Sequence, residues 1–257
     1  MIQFLIILLG LVIGSFLNYV IYRLSIEGHS FLKDFSDLKN RSYCPNCKHN
    51  LSWKDLFPVF SFTFLGGRCR YCKEKISWQY PLVEISTALI FLLIYSQKMM
   101  ILDTIYMFYI ACVLIIIFAF DFKHYLIPDK ILFPAIFISF AYNWIFHSDN
   151  LMNYILAAIL SSLFFLIIYL ISKGNWMGFG DVKLAILLGL ILGFPGILAG
   201  LFLAFLIGAI IGLIVIFLGK KGLKSEVPFA PFLITGTFLS VFWGQDIINW
   251  YLNFILS

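Results

Sequence analysis

The chain has 257 residues, of which 62% are hydrophobic and only 12% charged, and its mean hydropathy is +0.98. Those figures exclude a soluble globular domain. The formal net charge of +5 follows from where lysine and arginine fall around the apolar segments, so no nucleic-acid partner is needed to account for it.

A membrane-spanning helix needs about 20 mostly apolar residues. Eight segments qualify: 2–22, 80–97, 101–120, 131–147, 151–172, 182–193, 196–218 and 231–252. The sixth is short and leans on the turn Gly193-Phe-Pro-Gly196, so seven spans plus a re-entrant piece is the alternative. The expected fold is an all-α polytopic membrane protein with a small cytosolic loop domain between the first and second helices. It divides into 1–22, a first span; 23–79, the loop; and 80–257, the remaining bundle. The first segment reads as retained, because no basic stretch precedes it and no small-residue cleavage site follows. Arg23 lies after it, which puts the N-terminus outside. Threading eight spans from there leaves every Lys and Arg but Lys98 on cytosolic segments or their edges.

Within the first helix, Gly14-Ser-Phe-Leu-Asn18 reads as a packing face, where small residues let backbones approach and Asn hydrogen-bonds across. The loop carries Cys44-Pro-Asn-Cys47 and Cys69-Arg-Tyr-Cys72. Two such knuckles present four thiolates to one tetrahedral Zn²⁺. A region this small buries too little core to fold unaided, so the metal would supply folding energy. Four protein ligands close the coordination sphere, which makes the zinc structural. Cys112, inside an apolar helix, is a core residue. The aromatic-rich stretch Phe57 to Phe64 reads as an amphipathic piece on the inner leaflet, with membrane lipid as its partner. Glu84 enters the second span and is either a functional acid or the partner of Arg68 or Arg70.

Asp121 ends the third apolar run and opens the string Asp-Phe-Lys-His-Tyr-Leu-Ile-Pro-Asp129. Asp129 reads as an ordinary helix-start acid, and His124 as a solvated side chain near Asp121. Asp181 follows Gly178-Phe-Gly180, where glycine permits a close backbone approach. Gly189-x-x-x-Gly193 and Gly208-x-x-x-Gly212 provide small faces for helix packing. On this topology Asp121 and Asp181 share the cytosolic rim. Two adjacent carboxyls share one proton, so one activates water while the other polarises a carbonyl. The alternative is that they pair with Lys123 and Lys183, two residues away from each, although residues two apart on a helix do not face one another.

In their order these strings resemble the type IV prepilin leader peptidases, bacterial members of the GxGD intramembrane aspartyl proteases. The resemblance is carried by GSFLN, CPNC, FPVFSFTFLGGRCRYC, ISWQYPLVE, the Asp121-to-Asp129 string, MGFGDVKL and VPFAPFL. It implies that Asp121 and Asp181 are catalytic, with Gly178 and Gly180 supporting. It implies prepilin or pseudopilin substrates, cut after a glycine at the inner face of the cytoplasmic membrane. The four cysteines and Arg68 match members that also methylate the new N-terminus with S-adenosylmethionine; no nucleotide-binding motif locates that donor. A peptidase without methyl transfer is the near alternative. A membrane scaffold or transporter is a remote one, since neither repeated halves nor midplane polar groups are visible.

Overall fold

The computed structural model describes residues 1–26, 43–217 and 228–256. Among them are eight α-helices: α1 (Ile2–Ile26), α2 (Phe60–Phe64), α3 (Gln79–Ser96), α4 (Ile101–His124), α5 (Asp129–Phe146), α6 (Leu151–Ser172), α7 (Phe179–Phe217) and α8 (Ala230–Leu256). The chain forms two units, Met1–Ala119 and Phe120–Ser257, with the boundary inside α4. Part of the expected loop (27–42) and the charged segment from Lys220 to Glu226 lie outside the described residues.

In the first unit α1 and α3 run antiparallel in a register that steps one helical turn at a time. Gly10 meets Ala88, Gly14 meets Glu84, and the Asn18 amide donates to the Tyr80 carbonyl at 2.9 Å. A β-carbon on Gly10 or Gly14 would lie 2.5 or 2.6 Å from the facing Cα. Glycine is therefore what lets the two helices approach this closely. Phe91 stacks on Phe108 with ring centroids 4.1 Å apart, tying α3 to α4.

The second unit is built around α7. Helical geometry breaks inside it at Gly193 (φ 58°) and Phe194, where the sequence places the boundary between two spans. Broken backbone at membrane depth persists only if neighbouring helices satisfy its polar groups, and three helices do so. Asn153 both accepts from the Phe194 N–H (3.0 Å) and donates to its carbonyl (2.9 Å). Asn143 donates to the Leu190 carbonyl and Ser240 to that of Gly196. Gly189 packs on Ala158, whose Cα would be 2.4 Å from an added Cβ, and Gly236 packs on the backbone of Gly200 and Ala204. Of the expected Gly208–Gly212 face only half packs: a β-carbon on Gly208 would lie 3.3 Å from the Phe232 ring, whereas one on Gly212 meets nothing within 4 Å. Gly193 serves both the kink and the small face: a β-carbon there would lie 3.0 Å from the Tyr154 ring, one turn along α6 from Ala158.

Five helical stretches among the described residues are long and apolar enough to cross a membrane: Ile2–Ser25, Gln79–Ser96, Ile101–His124, Ser148–Ser172 and Phe179–Val215. The last has 37 residues, nearly twice what one crossing needs. The expected fourth and eighth spans are present as helices α5 and α8 but fall outside that set. Polar residues dilute them: Asp129, Lys130 and Asn143 in α5, and Gln245, Asp246 and Asn249 in α8.

Candidate active site and metal centre

Asp121 occupies the last turn of α4. The chain leaves that helix through Tyr125, which takes a left-handed φ of 56° while its N–H bonds the Asp121 carbonyl at 2.9 Å. That turn, common at helix ends, leads into Ile127-Pro128, and α5 begins at Asp129. Asp181 lies in the first turn of α7. Both carboxylates belong to the second unit, and both are buried, with 6% and 7% of their surface exposed. They lie near enough for the Asp121 charge to act on Asp181, and the Asp181 N–H bonds the Gly178 carbonyl at 3.2 Å.

Gly180 is the close-approach position of this turn. A β-carbon there would sit 3.2 Å from the Ile127 side chain, whereas one at Gly178 meets nothing nearer than 3.9 Å. The Ile-Pro-Asp string and the glycine turn therefore interlock. Lys183 pairs with Asp129, not with Asp181, and its ammonium lies over the rings of Phe133 and Phe179 at 5.5 and 5.6 Å. Asp129 is the helix-start acid expected of it and makes a cross-helix ion pair besides. Its signal, an acid and a lysine 54 residues apart, cannot be read from spacing. The His124 ring lies against Phe120, with centroids 4.6 Å apart.

In the first unit the two Cys-x-x-Cys turns are built alike. The Cys44 N–H bonds the His49 carbonyl and the Lys48 N–H returns to Cys44; the Cys69 N–H bonds Glu74 and the Lys73 N–H returns to Cys69. Lys48 and Lys73 both take left-handed φ, 54° and 61°. The ligand atoms of Cys44, Cys47, Cys69 and Cys72 all lie within 4.8 Å of one another, and none of the four is in a disulfide. Zn–S bonds of about 2.3 Å in a tetrahedron require sulfurs about 3.8 Å apart, and Cys44 Sγ to Cys72 Sγ is 3.9 Å. The four-thiol set therefore fits one zinc ion.

A residue that sequence reasoning passed over ties the second knuckle down. Asp55 accepts from Ser52 N (3.0 Å), Ser52 Oγ (2.7 Å), Arg70 Nε (2.7 Å) and Tyr71 Oη (3.4 Å). Arg70 is thus committed to Asp55, and no arginine among the described residues pairs with Glu84. Glu84 Oε2 accepts the Val59 N–H at 2.7 Å. Of the two readings of Glu84, the arginine contact is not made; a backbone amide stands in its place, an acceptor role that residue types do not advertise. The Arg68 backbone bridges Lys75 in the second knuckle.

Comparison with known proteins gives the family. The bacterial Peptidase A24 N-terminal domain matches residues 8–98, and the type IV leader peptidase family matches residues 108–213, a stretch that holds both aspartates. The chain is 31% identical to a prepilin leader peptidase/N-methyltransferase of Aeromonas salmonicida, over 98% of this chain and 94% of the relative. It is 31% identical to the protein of that name from Bacillus subtilis (96% and 97%) and 30% identical to the one from Pseudomonas aeruginosa (96% and 92%). The chain belongs to the type IV leader peptidase family. No solved structure matches it.

Proposed function

We propose that this family member is a bifunctional membrane enzyme. It removes the basic leader of prepilins or pseudopilins after a glycine, then methylates the new N-terminal amine with S-adenosylmethionine as second substrate. The reading rests above all on two buried carboxylates, Asp121 and Asp181, within electrostatic reach of each other in a chain of this family. The ionised member takes a proton from a water molecule, whose oxygen attacks the scissile carbonyl carbon. The protonated member donates to the carbonyl oxygen, and the tetrahedral intermediate collapses with transfer of a proton to the leaving amine.

All the helices but α2 cross the bacterial inner membrane with the N-terminus outside, seven helices making eight crossings because α7 crosses twice about its kink. The aspartates then face the cytosol, where a substrate held in the bilayer by its apolar helix presents its leader junction. Cys44, Cys47, Cys69 and Cys72 hold a structural zinc that contributes folding energy to the loop. The exposed rings of Phe57, Phe60 and Phe64 rest on the inner leaflet. Incubating the purified protein with a full-length prepilin and S-adenosylmethionine tests the whole reading by mass spectrometry. A product lacking its leader and carrying one methyl is expected; an uncut precursor overturns the proposal, and a cut, unmethylated one removes its second half.

A further inference from the structure

One end of the seam between α1 and α3 brings together a buried carboxyl without a cation and an acceptor without a donor. Glu84 is buried, its Oε2 accepts the Val59 N–H, and the Ser15 side chain lies beside the same carboxyl. No lysine, arginine or histidine among the described residues pairs with it. One turn along α1 from Gly14 and Ser15, Asn18 is 2% exposed; its amide N–H goes to Tyr80, and its Oδ1 has no hydrogen-bond partner. Buried acceptors without donors are costly, and buried carboxylates without cations more so. Neither the thiol cluster nor the aspartate pair uses these two groups.

The donor that Glu84 does have is a strained one. Val59 takes φ 60° and ψ −47°, and the Phe60 N–H bonds the Pro58 carbonyl at 2.6 Å across it. This is a three-residue turn that a β-branched residue adopts only at a cost, and strain of this kind collects at functional sites. A better donor can displace the Val59 amide and let that turn relax.

We infer that Glu84 and Asn18 receive the α-ammonium of the freshly cut substrate for methyl transfer. The inference rests on the bifunctional reading. An ammonium brings three N–H donors and a positive charge, which answers both Asn18 Oδ1 and the Glu84 carboxylate. One ammonium proton passes to Glu84. The freed nitrogen lone pair forms a bond to the donor's methyl carbon, the carbon–sulfur bond breaks with its electrons going to sulfur, and the sulfonium becomes a neutral thioether. The nitrogen leaves as a methylammonium, and Glu84 returns its proton to water.

The test uses the full-length enzyme in phospholipid vesicles, with a full-length prepilin and radiolabelled S-adenosylmethionine. Leader removal and methyl incorporation are measured in the same samples. Glu84→Gln is expected to lower the ratio of methylation to cleavage about a hundredfold through kcat. Asn18→Leu is expected to raise KM for the cut substrate about tenfold, and Asn18→Asp, which keeps an acceptor, to recover most of it. In each variant KM for the methyl donor stays at its wild-type value. Equal losses of both activities, or a raised KM for the donor alone, would assign these residues to packing or to the donor and overturn the inference. Asn18 variants also answer the question should Glu84→Gln fail to fold. A wild type that methylates while all three variants match it overturns this inference alone; a wild type that cleaves but never methylates overturns the bifunctional reading with it.

Discussion

Lys183 stands two residues beyond Asp181, yet its ion pair is with Asp129 at the start of α5. Residues two apart on a helix point in different directions, so the lysine reaches across to the neighbouring helix. That commitment keeps a fixed positive charge away from the buried pair, where it would favour two ionised carboxylates over one shared proton. Asp129→Asn is therefore expected to lower leader cleavage about tenfold by releasing Lys183, roughly 1.4 kcal/mol in the barrier. Lys183→Met alone has a small effect, because Asp129 is half exposed and such pairs contribute little. The double variant should recover toward the Lys183→Met rate. If it stays as slow as Asp129→Asn, the released lysine is not the cause.

Asp121 and Asp181 act as a unit in the proposed hydrolysis, and groups that act as a unit are not additive. Asp121→Asn and Asp181→Asn should each reduce cleavage to background, with the double variant no slower than either. Single-turnover cleavage of a prepilin measures this directly. Residual cleavage above background in either single variant, or a further loss in the double, would separate the two roles.

Gly180 and Ile127 are the contact through which the glycine turn meets the segment after Asp121. Three Ile127 carbons lie 3.2 to 3.3 Å from where a Gly180 β-carbon would be, tighter than ordinary packing. Gly180→Ala should slow cleavage severalfold, and Ile127→Val, which removes the Cδ1 methyl at that contact, should offset part of the loss. A coupling of about 1 kcal/mol is typical of touching residues. Strictly additive losses in cleavage rate would mean that the two side chains do not share this space.

What could be read without coordinates were residues whose chemistry is expensive where they stand. An aspartate at the mouth of an apolar run and four cysteines in two short turns carry their cost in their type and position. The break between the sixth and seventh apolar segments is equally plain, since Gly193-Phe-Pro interrupts a run that is too long for one crossing. What could not be read are relationships made by the backbone or by distant partners. Glu84 looks like an arginine partner until the Val59 amide claims it. Asp55 looks like a loop acid until Ser52, Arg70 and Tyr71 converge on it. Gly236 sits in no recognised spacing, and only the crossing with Gly200 and Ala204 explains it.

The thiol cluster gives a prediction about folding that is separate from catalysis. Purified protein should contain one zinc per chain, and a strong chelator should make residues 43–78 the first site of proteolysis. Cys47→Ser, which removes a ligand from the first knuckle, should have the same effect without chelator. Stoichiometric zinc with a loop equally resistant before and after chelation would show that the metal does not hold it.

The Asp55 network sets the pH dependence of that loop. Burial works against the ionised carboxyl, but the bonds from Ser52 and Arg70 outweigh it, so the group is held below the ordinary carboxylate range. A carboxyl depressed in this way contributes its full stabilisation above the unfolded value of about 3.9, and loses it only as pH falls through the lower folded value. Asp55→Asn should therefore loosen the loop by the same amount at pH 8 as at pH 6, about 1–3 kcal/mol for bonds to a charged group. The ratio of proteolysis rates between variant and wild type, taken at fixed zinc occupancy, reads this difference. A ratio that shrinks toward unity between pH 8 and pH 6 would mean that Asp55 is already losing its charge there, contrary to the bonds that Ser52 and Arg70 make to it.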